Sequence, residues 1–270
     1  MRGLRAADIR IEQFLRGGPL EARLVTDRSF ARLEYVFLVH GWNIQSGHAV
    51  DEYDVLIEEI GQRSNSTVDS IFTVTWPTVR SYHESVVLAR DAGTALANLL
   101  LARDLLSGAA SITLVGHSLG CRVILEALDA LKNASNLSRR SGLTALLMAA
   151  AVPVDMVLPS GRLFVPTTFA DRANVYYSPS DIVLRSLFGF GQTRAPTEEG
   201  ILPEAVGLRG RPREGIWDVR KRMSGFQHGS YWRRAEMFDE ICNVIIRDQR
   251  YLPGLESVVR YLPERLLDRT

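Results

Sequence analysis

Apolar and polar residues alternate near the amino terminus, in DIRIEQFL (residues 8–15) and LEARLVT (20–26). That is the period of strands with one buried face. Gly17-Gly18-Pro19 between them predicts an antiparallel pair, so residues 1–33 are read as amino-terminal strands. From Tyr35 onward the pattern changes. YVFLVHGWN (35–43), SIFTVTWP (70–77) and SITLVGHS (111–118) are apolar over most of their length, as strands covered on both faces must be. LTALLMAAAVPVD (143–155) and NVYYSPSD (174–181) repeat the type. Helical patterns separate them: residues 49–62 carry Val50, Tyr53, Leu56, Ile57 and Ile60 on one stripe, residues 84–106 are rich in Ala and Leu, and CRVILEALDALKNA covers 121–134.

Buried strands alternating with helices predict an α/β fold: a mostly parallel central sheet with helices on both faces. Right-handed crossovers then fix the winding. Further on, residues 187–213 are rich in Gly, Pro, Thr and Glu and read as a loop. GIWDV (215–219) reads as a short final strand and 234–247 as a closing helix. YLPGLESVVRYLPERLL (251–267) is a short amphipathic piece expected to pack on the body, which makes 234–270 a region of C-terminal helices. The 270 residues are expected to form one domain.

Composition narrows the function classes. With 46% hydrophobic residues, a chain of this size can bury a sizeable core without disulfides or a structural metal. A formal charge of +1, from 32 basic and 31 acidic residues, gives no electrostatic reason to expect nucleic acid or an anionic membrane as partner. The two cysteines, Cys121 and Cys242, lack the spacing of a zinc site, so neither metal nor cofactor is expected. No apolar run is judged long enough to span a bilayer. The start, MRGLRAADIRIEQFLRGG, has no signal-peptide core. A cytoplasmic location is the expectation, and nothing in the sequence sets an oligomeric state.

The chemistry is concentrated around Gly116-His117-Ser118-Leu119-Gly120, a G-x-S-x-G pattern. An apolar strand enters it and a helix leaves it, which is the setting of a nucleophile elbow. A serine hydroxyl needs a base at neutral pH. Of the five histidines, His117 adjoins the serine, and its side chain is expected to point away. His40, His48 and His83 lie upstream, and His228, in GFQHGSYW, lies downstream between Gly225 and Gly229. The order Ser, acid, His selects His228. For the acid, Asp181 follows the strand NVYYSPS, where catalytic groups collect at the carboxyl end of a sheet. Asp155, closing AVPVD, is its rival, and Asp171, Asp218 and Asp239 are weaker. An oxyanion hole needs two N–H donors. Leu119, after the nucleophile, supplies one; Trp42, after the permissive Gly41, is expected to supply the other.

Together VFLVHGWN, TLVGHSLGCRVILEAL, YYSPSDIVL and QHGSYW resemble the α/β-hydrolase superfamily. They look most like a bacterial group of uncharacterised α/β-hydrolase-like (esterase- or lipase-like) proteins that share the YYSPSD-type acid motif. The likeness covers residues 34–232 and implies Ser118 as nucleophile, Asp181 as acid and His228 as base. The HG and GHSLG motifs are also similar to those of lipases. Only a short stretch separates Asp155 from Val175, however, so no large cap domain is expected there. The 187–213 loop, with Leu187, Phe188 and Phe190 at its start, is the segment placed to cover the site.

The expected function is that of a serine hydrolase acting on carboxylic esters through an acyl-serine intermediate, its partner a small-molecule ester or acyl substrate. The same triad serves thioesterases, amidases and acyltransferases. A non-catalytic binding or scaffold protein on a hydrolase fold is the rival from a different class.

Overall fold

The computed structural model describes residues 7–13, 19–24, 34–42, 46–63, 70–78, 81–103, 105–108, 111–134, 142–194, 201–212 and 216–250. Its elements in chain order are β1 (Ala7–Gln13), β2 (Leu20–Leu24), β3 (Glu34–Val39), α1 (Ser46–Arg63), β4 (Ser70–Thr75), α2 (Tyr82–Ala102) and α3 (Leu105–Gly108). They continue with β5 (Ser111–His117), α4 (Gly120–Asn133), β6 (Gly142–Met148), a 3-10 turn (Val154–Val157), α5 (Phe164–Phe169) and β7 (Arg172–Tyr177). The chain closes with α6 (Ile182–Ser186), α7 (Phe188–Thr193), α8 (Val206–Arg209), β8 (Val219–Arg222), a second 3-10 turn (His228–Ser230) and α9 (Ala235–Arg250).

Among the described residues the strands form one sheet in the order β2-β1-β4-β3-β5-β6-β7-β8. Only β1 and β2 pair antiparallel; every other pairing is parallel. The continuous apolar runs become the central strands. All of β5, and all but the first residue of β3, β6 and β7, are buried, because helices cover both faces. On one face α2 and α4 pack with Phe37, Phe72, Leu114 and Leu147; on the other, α1 and α9 pack with Leu38, Val115 and Leu146. Between α2 and α4 the contact is close: a methyl at Gly93 would stand 2.5 Å from Glu126 Cβ.

The expectation that no apolar run is long enough to span a bilayer is corrected at α2. Its 21 residues are long and apolar enough to cross a membrane by length and composition, with a mean hydropathy of 1.3. Val86, Ala89, Leu96 and Leu100 are buried in the core beside α4, so its apolarity is accounted for by packing. The helix also stops at Ala102, and α3 begins separately at Leu105, within what periodicity reads as one helix.

Three further boundaries differ from the sequence reading. β6 ends at Met148 because Ala149 takes φ 46° and turns the chain, so Asp155 lies in the 3-10 turn instead of ending a strand. The final strand is Val219–Arg222, shifted from GIWDV; as an edge strand it tolerates the polar VRKR. Residues 187–213 are not a plain loop, since α7 and α8 lie within them. These helices dock through close approaches: a methyl at Gly191 would meet the Tyr82 ring at 2.7 Å, and one at Gly207 would meet Ala149 backbone at 2.2 Å. Only the first 3-10 turn and α5 separate β6 from β7, so no large cap domain sits there. Residues 1–6, 17–18, 195–200 and the amphipathic 251–267 lie outside the described residues.

Candidate active site

Four connections converge at the carboxyl end of the sheet, after β3, β5, β7 and β8. β5 runs into Ser118, which takes φ 55°. A left-handed backbone at a non-glycine residue costs on the order of 1–3 kcal/mol and persists only where its surroundings enforce it. Here they do. The Ser118 N–H donates to Met148 O at 2.9 Å, and Ser118 O accepts from Cys121 N at 3.1 Å and Ala151 N at 3.1 Å. Glycines allow the tight exit into α4: a methyl at Gly120 would stand 2.4 Å from the His40 carbonyl oxygen.

The structure brings Ser118, His228 and Asp181 together from distant parts of the chain. His228 Nδ1–H donates to Asp181 Oδ2 at 2.8 Å, leaving Nε2 to accept from the Ser118 hydroxyl at 2.9 Å. Asp181 is fully buried, and its other oxygen accepts from Leu184 N at 3.0 Å, capping α6. Ser118 itself is only 6% exposed. One carboxylate thus starts a helix and fixes the imidazole tautomer that can receive the serine proton.

The loops bearing Asp181 and His228 are also stitched to each other. Ser178 Oγ donates to Phe226 O at 2.7 Å, and Gln227 and Ser230 cap one another around His228. The SPSD sequence marks the turn, but a linking role for Ser178 is visible only once Phe226 is beside it. The other aspartates are elsewhere. Asp155 is exposed. Asp171 accepts from Leu143 N at 2.7 Å and Asp218 from Ala173 N at 2.6 Å, closing the opposite, amino end of the sheet. Asp239 pairs with Arg63.

His117 does not point away, which corrects the sequence expectation. Strand alternation governs it only up to the elbow, where Ser118 leaves the pleat. The His117 ring is buried 4.9 Å from that of His228, and its Nε2–H donates to the His228 carbonyl at 2.7 Å. Burial, then the neighbouring His228, lowers its pKa from 6.5 to about 3.

His40 secures the turn that holds Gly41 and Trp42. Its Nδ1–H donates to Gly41 O at 2.7 Å, Nε2 accepts from Trp76 N at 3.2 Å, and its carbonyl accepts the Trp76 indole N–H at 2.9 Å. Burial lowers its pKa to about 4, so this tautomer is neutral. The turn lies against the elbow, for a methyl at Gly41 would meet Ser118 Cβ at 2.8 Å. The Trp42 ring meets Tyr82 edge-on at 5.5 Å, and Tyr82 meets Phe188 of α7 at 6.5 Å. An aromatic wall therefore runs from the turn to α7. Among the described residues, the buried Leu119 N–H at the start of α4 meets no acceptor. Of the remaining histidines, His83 meets the α2 cap Ser81 at 2.7 Å, and His48 lies in α1.

Neither cysteine has the character of a reactive thiolate. Burial raises the Cys121 thiol far above its usual range and Cys242 to about 11. Both are unpaired in disulfide terms. Among the described residues no cluster of His, Cys, Asp or Glu is arranged to hold a metal ion.

A mostly parallel eight-stranded sheet, helices on both faces and a serine elbow after β5 make this an α/β-hydrolase fold. Residues 73–195 match a family model described as a protein of unknown function (DUF726). Solved structures similar to the chain include the lin2722 gene product of Listeria innocua, with 12% identity over 77% of this chain and 92% of that one and a TM-score of 0.46. A thermophilic esterase, Est2, from the planctomycete Thermogutta terrifontis has 14% identity over 93% and 97% of the two chains and a TM-score of 0.44. No curated protein sequence matches the chain.

Proposed function

We propose that the chain is a serine hydrolase that cleaves carboxylic esters through an acyl-serine intermediate. The observation that carries the reading is the continuous relay Ser118 Oγ–H to His228 Nε2 and His228 Nδ1–H to Asp181 Oδ2, at 2.9 and 2.8 Å. His228 takes the Ser118 proton as the oxygen attacks the ester carbonyl, and Asp181 stabilises the imidazolium that results. The oxyanion develops beside Leu119 N–H and the Gly41–Trp42 turn, where preorganised donors act in a water-poor site. Collapse expels the alcohol, which leaves with the proton from His228. Water, deprotonated by His228, then attacks the acyl-enzyme, and the carboxylic acid departs from a regenerated Ser118. The cycle uses only groups of the chain and water.

A fluorophosphonate probe tests this directly. Folded protein is expected to form one covalent adduct, mapped to Ser118 by peptide mass spectrometry, and to turn over members of a p-nitrophenyl ester panel. Ser118→Ala is expected to remove the adduct and to lower kcat by up to about a millionfold, as when a triad acts as a unit. Labelling at another residue, or a folded protein inert to both probe and panel, refutes the reading. Thioesters and amides in the same panel separate ester hydrolysis from its close relatives.

A further inference from the structure

We propose that His117 is a positioning residue that clamps the general base to the nucleophile. The inference rests on the triad reading above. Among the hydrogen bonds that hold the loop carrying His228, three groups bear on its position. Ser178 grips Phe226 from the acid side, and Gln227 and Ser230 cap each other locally. The third runs from His117 Nε2–H to the His228 carbonyl, 2.7 Å long, and it is made to the base's own backbone by the residue preceding Ser118. A short closed circuit results: Ser118, its peptide link to His117, the hydrogen bond to His228, the imidazole, and back to the Ser118 hydroxyl at 2.9 Å. Within that circuit the His228 backbone cannot drift from the elbow without breaking the His117 bond, and Asp181 holds the orientation of the ring.

The surroundings of the ring favour this role over simple core filling. His117 packs between Tyr231 and Trp232, with centroids at 5.9 and 5.8 Å, while its other edge abuts the Gly41 turn. Its Nδ1 is buried with no donor among the described residues. An apolar side chain of similar size would fill the space without stranding that lone pair but would leave the His228 carbonyl without its donor, so what the imidazole adds beyond filling space is that bond. Donation from Nε2 requires that nitrogen to carry the proton, and a neutral ring leaves the imidazolium of His228 unopposed by a second charge at 4.9 Å.

The test compares His117→Met, which removes the donor at similar volume, with His117→Gln, whose amide can still reach the His228 carbonyl. His117→Met is expected to lower kcat by about 10- to 100-fold with KM within about twofold, the scale of a sub-ångström to 1 Å misplacement. His117→Gln is expected to recover most of that loss. Proton NMR supplies a readout independent of turnover. The low-field His228 Nδ1–H signal, bonded to Asp181, should persist in wild type and His117→Gln and broaden in His117→Met. If His117→Met does not fold, His117→Leu, which also lacks a donor, replaces it. An active wild type with unchanged kcat and signal in the donor-free variant overturns the clamp alone; so does equal loss in Met and Gln variants. A wild type inert to fluorophosphonate overturns the triad reading instead, and the NMR comparison still decides the clamp.

Discussion

Acidification below pH 6.5 should destabilise this protein through two buried neutral imidazoles, and the size of the effect follows from their surroundings. Burial depresses His40 to about 4 and His117 to about 3, from 6.5 in the unfolded chain. As pH falls through 6.5 the unfolded chain takes up two protons that the folded protein declines. The unfolded state binds more protons in this window, so stability rises with pH there and is lost on acidification. Above 6.5 both states are neutral and the contribution is flat; below about 3 both are protonated and the loss ends. At pH 5 each site costs about 2 kcal/mol, or about 4 kcal/mol together, at about 1.4 kcal/mol per pH unit. Against a typical total of about 5–15 kcal/mol, that is a large fraction. Urea unfolding followed by tryptophan fluorescence at pH 7.5 and 5.0 measures it. Carboxylates also titrate in this range, so the informative quantity is the difference between wild type and His117→Met in their loss from pH 7.5 to 5.0. The variant should lose about 2 kcal/mol less than wild type. A difference below about 0.5 kcal/mol, the usual scatter of such comparisons, refutes the claim that His117 is held neutral.

Asp181→Asn should lower kcat by about 10⁴, because an amide can hold the wrong imidazole tautomer. Asn can still accept from Leu184 N, so thermal unfolding should shift little, whereas Asp155→Asn, at an exposed position, should leave ester turnover within threefold of wild type by the same assay, as about expected for surface substitutions. Gly41→Ala puts a methyl 2.8 Å from Ser118 Cβ and 3.2 Å from His117 O. It should push the turn off the elbow and lower kcat by about 10²–10³, the scale of a lost oxyanion donor, with steady-state kinetics and circular dichroism separating this from unfolding.

What the sequence disclosed depended on how each residue is stabilised. The central strands announce themselves because covering both faces demands an unbroken apolar run, as in Val36–Phe37–Leu38–Val39, all buried. β8 does not, because an edge strand needs no such run and VRKR carries none. The short α7 and α8 owe their helices to tertiary docking, at Gly191 on Tyr82 and Gly207 on Ala149, and helices so short have little intrinsic stability. At AVPVD the apolar run outlasts the strand, since the left-handed Ala149 ends β6 without any compositional mark.

The site divides in the same way. Ser118 is legible because the elbow is local, with strand, turn and helix contiguous in sequence. His228 and Asp181 lie 110 and 47 residues from their respective partners, so only the chain order of such groups and their strand-end positions pointed to them. His117 was legible as a residue and misread as a direction. Alternation assigns neighbours in a strand to opposite faces, and it would have held if Ser118 had remained extended. At φ 55° the serine leaves the pleat, and both neighbours come to face the same histidine: Ser118 at its Nε2, His117 at its carbonyl. The strained residue that turns the hydroxyl toward His228 is therefore also what brings His117 onto the same histidine, and the motif's variable position acquires a partner that no periodicity rule assigns to it.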